Sequence, residues 1–126
     1  IKNLAIECRM PFCYGGGVSS ISQAKEIINL GAEKVAISSA ALLNLQFIVD
    51  LGKEIGIQSV ILVLDIKTKK NLFGNKSFEI YIKNGKEKIH LKLEEILNFI
   101  NKVGVGELVI NSIDRDGTLE GYDHEL

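Results

Sequence analysis

The run Ser59-Val60-Ile61-Leu62-Val63-Leu64-Asp65-Ile66 decides how the rest of the chain is read. Its aliphatic residues follow one another without alternation. Unbroken runs of this kind belong to parallel strands covered on both faces. Working outward, strand and helix alternate. Upstream, Pro11-Phe12-Cys13-Tyr14 is a short apolar run that leads into Gly15-Gly16-Gly17. Ser20 and Gln23 then have capping-box spacing, the stripe Ile21, Ala24, Ile27 and Ile28 predicts a helix, and Gly31 is placed to end it. Residues 34–39 predict a second strand. Asn44 is the expected cap of a helix carrying Leu45, Ile48, Val49 and Leu51, which Gly56 closes. Downstream, residues 78–82 and 88–91 alternate around Asn84-Gly85, a strong hairpin signal. Leu93, Ile96, Leu97 and Ile100 line a further helix ending near Gly104, and residues 107–111 predict a fourth strand. Ile1, Leu4, Ala5 and Cys8 have the spacing of the last turns of another helix.

Strand starts therefore fall near residues 11, 33, 59 and 107, and a hairpin insert at about 72–91 accounts for most of the long last interval. Such units predict a parallel sheet with right-handed crossovers. A doubly wound sheet would be complete in one domain, whereas a (β/α)8 barrel needs about 250 residues. The chain starts without Met in mid-pattern and stops at His124-Glu125-Leu126 as another element begins. The expectation is a single fragment, 1–126, of a larger fold. Among its 126 residues, 15 Lys plus Arg face 16 Asp plus Glu, a balance that argues against nucleic acid or an acidic membrane surface as partner. No apolar run reaches the roughly 18 residues of a membrane span, and the start resembles no signal peptide. Two cysteines, Cys8 and Cys13, exclude a disulfide scaffold and fit a reducing cytoplasm.

Polar residues collect at one end of every predicted strand, where parallel α/β proteins carry their active sites. After the first come Gly15, Gly16 and Gly17; after the second, Ser38 and Ser39. The third ends in Asp65-Ile66-Lys67, and the fourth in Asn111-Ser112 before Asp114-Arg115-Asp116-Gly117-Thr118. Consecutive glycines let backbone N–H groups approach an anion, although they also serve a tight turn. Ser38 and Ser39 either cap a helix or complete a phosphate cradle. Asp65 emerges from a dry strand, where desolvation can bring a carboxyl toward base strength; otherwise it pairs with Lys67 or caps a loop. The Asp114–Asp116 stretch is either a solvated turn or a ligand loop in which one Asp serves the substrate and the Gly117 amide binds phosphate. His90 reads as part of the hairpin, His124 as surface and Cys13 as core filling. With the histidines far apart and no CxxC, a zinc site is not expected.

These residues resemble a known family. Pro11-Phe12-Cys13-Tyr14-Gly15-Gly16-Gly17-Val18, Gly31-Ala32-Glu33-Lys34-Val35 leading to Ser38-Ser39-Ala40-Ala41, Leu64-Asp65-Ile66-Lys67, and Ser112-Ile113-Asp114-Arg115-Asp116-Gly117-Thr118 with Gly121-Tyr122-Asp123 are similar to the cyclase subunit of imidazole glycerol phosphate synthase. The similarity runs the length of the chain, and the DRDGT run is its most specific part. It implies a (β/α)8 barrel of which this chain supplies strands three to six. It also implies a substrate with a phosphate at each end, and ammonia delivered through the barrel by a glutaminase partner. The products are imidazole glycerol phosphate and an aminoimidazole carboxamide ribotide, formed without metal or organic cofactor. Carried over position by position, Asp65 is one of two acid–base aspartates, the other lying on strand one. Gly17, Ser38 and Ser39 fall on one phosphate site, and Asp116 with Gly117 on the other; Gly16 and Asn111 beside them are further candidate substrate- or phosphate-binding residues.

Two departures stand out: Ser38-Ser39 where the synthase usually has Asn-Thr, and Asn111 where it usually has Thr. With Tyr14, they resemble a paralogous branch in surface-polysaccharide synthesis, whose barrel and glutaminase supply ammonia for modifying a nucleotide-linked sugar. A non-catalytic phosphate-ligand module is the remaining alternative. Alone, the 126 residues are expected to be inactive, with exposed strand edges that invite the missing barrel half or self-association.

Overall fold

The computed structural model describes residues 3, 7, 10–70, 72–124 and 126. The helix expected from Ile1, Leu4, Ala5 and Cys8 lies outside the described residues. Strand β1 (Cys13–Gly15) runs straight into the glycine turn. At the start of α1 (Ile21–Asn29), the Ser20 hydroxyl accepts the Gln23 amide at 3.3 Å, while Gln23 Oε1 accepts the Ser19 amide at 3.0 Å. The Ser20 side chain thus satisfies a donor that the first helical turn leaves orphaned, and the Gln23 side chain ties down the residue before the cap. Strand β2 (Lys34–Ile37) is followed by α2 (Ser39–Leu43), a five-residue helix with no periodic signal of its own. Asn44 Oδ1 accepts the Gln46 amide at 3.2 Å and starts α3 (Gln46–Ile55). A short 3-10 turn leads to β3 (Val60–Lys70), followed by β4 (Lys76–Ile82), β5 (Glu87–Lys88), α4 (Leu93–Val103) and β6 (Glu107–Ser112).

All six strands form one open sheet, so the fold is mixed α/β. The pairs β1–β2, β2–β3 and β3–β6 are parallel, while β4 runs antiparallel to β3 and β5 antiparallel to β4. Alternate residues of a strand share a face. Val35, Ile37, Val60, Leu62, Leu64 and Ile66 are buried in one cluster with Ala24, Ile48, Leu51 and Ile96 of the helices. Each Val, Leu or Ile side chain among them contributes about 1.5–3 kcal/mol on burial. This layer is the core. No described helix is long and apolar enough to cross a membrane.

The opposite face carries Cys13, Gly15, Ala36, Val63, Asp65, Val109 and Asn111, aligned by register. Toward the amino-terminal ends, Lys34 of β2 and Glu107 of β6 form an ion pair on either side of β3. Three expectations change here. The apolar run of β3 is sealed fully on its helix side only: Val63 lines a cavity, and its neighbour Val109 is 42% exposed. Cys13 is exposed rather than core filling, because it points away from the helices on a strand whose only described neighbour is β2. And β3 does not end at residue 66. Antiparallel pairing from Asp65–Tyr81 to Lys70–Lys76 continues it to Lys70, so Asp65 sits within the strand.

Close approach rather than turn geometry explains Gly106. A β-carbon there would lie 2.2 Å from the Gln58 carbonyl oxygen, and the Gly106 amide donates to the Val60 oxygen at 2.9 Å. Only glycine lets α4 return to the sheet at that point.

Candidate functional site

The glycine turn is left-handed in backbone, with φ +128° at Gly16 and +70° at Gly17, conformations L side chains rarely adopt. A β-carbon at either would meet nothing within 4 Å, so the turn faces open space. It borders a cavity of about 340 Å³ whose wall also includes Ser38, Ser39, Val63, Asp65 and Asn84. The two serines are not equivalent. Ser39 Oγ accepts the Lys83 amide at 3.1 Å and so anchors the β4–β5 turn over the cavity. Ser38 Oγ is buried and has no hydrogen-bond partner among the described residues. Buried hydroxyls ordinarily have a partner, which sets Ser38 apart from Ser39 in this wall.

Asp65 is half-buried and accepts a hydrogen bond from Asn111 Nδ2, donor to Oδ1 3.0 Å. The strands set this contact, since the two residues are register partners on β3 and β6. Asn111 borders a second cavity of about 480 Å³, lined also by Ser112, Arg115, Asp116, Gly117 and Asp123. Its loop is stitched together locally. Ser112 Oγ donates to Asp123 Oδ2 at 3.1 Å, Arg115 Nη1 donates to the Tyr122 oxygen at 3.1 Å, and the Asp116 amide donates to the Ser112 oxygen at 3.0 Å. Asp114 takes an anchoring role, accepting the Thr68 amide at 2.8 Å. The Asp116 carboxylate makes no hydrogen bond among the described residues, and Gly117 has φ +75°.

Gly16, Gly17, Ser38, Ser39 and Asp65 therefore surround one cavity, and Asn111, Asp116 and Gly117 another. The Asp65–Asn111 hydrogen bond joins their walls. Lys67, which competed as partner of Asp65, lies instead over the Tyr81 ring, its Nζ 5.1 Å from the centroid. His90 and His124 are exposed, and no described group of three His, Cys, Asp or Glu side chains is gathered as metal ligands would be.

Sequence reasoning missed one charged array. On β4 and β5, Lys88 Nζ donates to Glu79 Oε1 at 2.6 Å and Tyr81 Oη donates to Glu79 Oε2 at 3.1 Å. Lys88 holds the Glu79 carboxyl below its ordinary range, and Glu79 holds Lys88 above its own. Burial, and then the bond to Glu79, push the Tyr81 phenol up. The alternation of Glu79 and Tyr81 was visible; what they would face depended on the β3–β4 register.

Fold and site together define a mixed α/β protein whose two cavities are lined by glycine turns, hydroxyls and the carboxylates of Asp65, Asp116 and Asp123. The chain belongs to the family described as histidine biosynthesis protein, which matches residues 1–126. It is 40% identical over 126 residues to a protein of Lactococcus lactis subsp. cremoris (strain MG1363) named imidazole glycerol phosphate synthase subunit HisF, covering all of this chain and 48% of that one. A Vibrio vulnificus (strain YJ016) protein provisionally named as subunit hisF3 of that synthase is 45% identical over 123 residues, 98% of this chain and 46% of that one. A Leptospira borgpetersenii protein provisionally named as the HisF subunit is 42% identical over 126 residues, again with 48% of its length covered. The chain thus spans about half the length of these relatives.

Proposed function

We propose that this chain forms strands three to six of the (β/α)8 barrel of a cyclase subunit, the barrel domain into which residues 1–126 fit as one fragment with its hairpin at about 72–91. The complete barrel uses ammonia from a glutaminase partner in the cytoplasm to convert a bisphosphorylated ribulosyl aminoimidazole carboxamide ribonucleotide to imidazole glycerol phosphate and aminoimidazole carboxamide ribotide. The observation that carries this reading is the position of Asp65 at the junction of two cavities. Gly16, Gly17 and the unpartnered Ser38 hydroxyl take one phosphate, with Ser39 holding the wall; Gly117 and Asn111 take the other end, and Asp116 orients it. Asp65 accepts and returns a proton as ammonia adds and the ring closes. Fixing both ends of the ligand keeps the reacting atoms aligned.

In the full-length protein, Asp65→Asn should still bind substrate and lose most turnover with ammonium salt as nitrogen source. Near-normal turnover would remove the proposed role. A second reading is favoured by Asn111, whose amide occupies one lone-pair direction of the Asp65 carboxylate. Such a barrel would deliver ammonia to an amidotransferase acting on a nucleotide-linked sugar. Activity only with that sugar and that third enzyme would select it over the cyclase.

A further inference from the structure

Lys67 lies two residues beyond Asp65 on the same face of β3, about 6.6 Å along the strand. Directly across from it, in antiparallel register, is Glu79. Opposite charges in that relation ordinarily pair. Here they do not. Both Glu79 oxygens are occupied, one by Lys88 at 2.6 Å and one by the Tyr81 hydroxyl at 3.1 Å. The Lys67 ammonium rests over the Tyr81 ring, 5.1 Å from its centroid, with no carboxylate partner among the described residues. Tyr81 is in turn the register partner of Asp65. A strongly hydrated ammonium on a flexible stem is therefore kept two residues along β3 from Asp65, which lines the first cavity, and its three donors are uncommitted.

We propose that Lys67 is a ligand-binding residue of the cavity that Asp65 lines: its ammonium leaves the Tyr81 ring to take an anionic oxygen of a phosphate monoester. Tyr81 is a positioning residue, held in place by Glu79 and Lys88. The Tyr81 hydroxyl donates to Glu79 Oε2 at 3.1 Å, which leaves the ring face to Lys67. A phosphate suits the surroundings because the neighbouring wall holds the glycine turn, Ser38 and Ser39, and no carboxylate but that of Asp65. A lysine side chain spans about the distance back to Asp65, so the swing needs no backbone movement. The inference rests on the proposed function only in taking the ligand to be a phosphate ester.

The test uses the full-length protein with isotope-labelled lysine and ribose 5-phosphate as probe, with ribose as the uncharged control. In the free protein the Lys67 ε-methylene should be shifted upfield by the Tyr81 ring, a shift that Tyr81→Leu removes. Ribose 5-phosphate should return this resonance toward its ordinary position, and ribose should not. Lys67→Gln should weaken ribose 5-phosphate binding about tenfold, and Lys67→Arg should recover part of it. A resonance that does not move at saturation, or unchanged affinity in Lys67→Gln, overturns the proposal. If the wild type turns over its substrate normally in that case, the proposed function stands without it. A Lys67-dependent response in a protein with no turnover would instead support this inference and count against the cyclase reading.

Discussion

Replacing Asn111 by Thr probes the contact that joins the two cavities. The Asn111 Nδ2 to Asp65 Oδ1 distance is 3.0 Å. A threonine hydroxyl ends one bond earlier, shorter by about 1.5 Å, which leaves a gap of roughly 4.5 Å, beyond hydrogen-bond range. A hydrogen bond to a charged group contributes about 1.5–3 kcal/mol. Asp65 is only half-buried, and solvent screening reduces that to about 1 kcal/mol. The assay is a double-mutant cycle of Asn111→Thr with Asp65→Ala, read by urea unfolding of the full-length protein at neutral pH. The expected coupling energy is about 1 kcal/mol, because removing either partner already loses the bond. Additive single effects, within about 0.3–0.5 kcal/mol, would refute the reasoning. The cycle cancels changes in helix or strand propensity that would confuse a single substitution.

Two further perturbations follow from the geometry. Gly106→Ala drives a β-carbon to 2.2 Å from the Gln58 oxygen and threatens the Gly106–Val60 hydrogen bond, so it should destabilise the full-length protein by about 2–4 kcal/mol in denaturant titration. An effect under about 0.5 kcal/mol would mean the backbone there yields easily. The Glu79–Tyr81–Lys88 array should make the β4–β5 hairpin pH-dependent. Glu79 lies below its ordinary value of 4.5, so its contribution is full above that value and lost as pH falls through the lower, folded one. Lys88 lies above 10.5 and Tyr81 above 10.0, so theirs are full below those values and lost as pH rises through the raised, folded ones. Protection of the Ile89 amide, which donates to the Ile80 oxygen at 3.0 Å, should hold a plateau from about pH 5 to 9 and decline on both sides. An acid limb present in wild type and absent in the Glu79→Gln variant is the expected pair; identical acid limbs would contradict the assignment.

What could be read from the residues alone was whatever depends on near neighbours in the chain. The run from Val60 to Leu64, the caps at Ser20 and Asn44, the breaks at Gly31, Gly56 and Gly104, and the Asn84-Gly85 turn all act within a few residues, through backbone sterics and side-chain periodicity. They carried the alternation of strand and helix, and with it the end of the sheet at which polar residues gather. The family, too, was legible from its motifs. Tertiary structure decided which groups meet. β4 landed beside β3 and carried that strand past Asp65, Asn111 rather than Lys67 reached the carboxylate, and Ser39 was used by the hairpin while Ser38 was left unpartnered. Cys13 turned outward for the same kind of reason. A strand's register and neighbours depend on segments distant in sequence, and shifting a register by one residue sends every side chain to the other face. Local pattern therefore specifies the elements, while the contacts that give each polar side chain its task arise only when distant strands align.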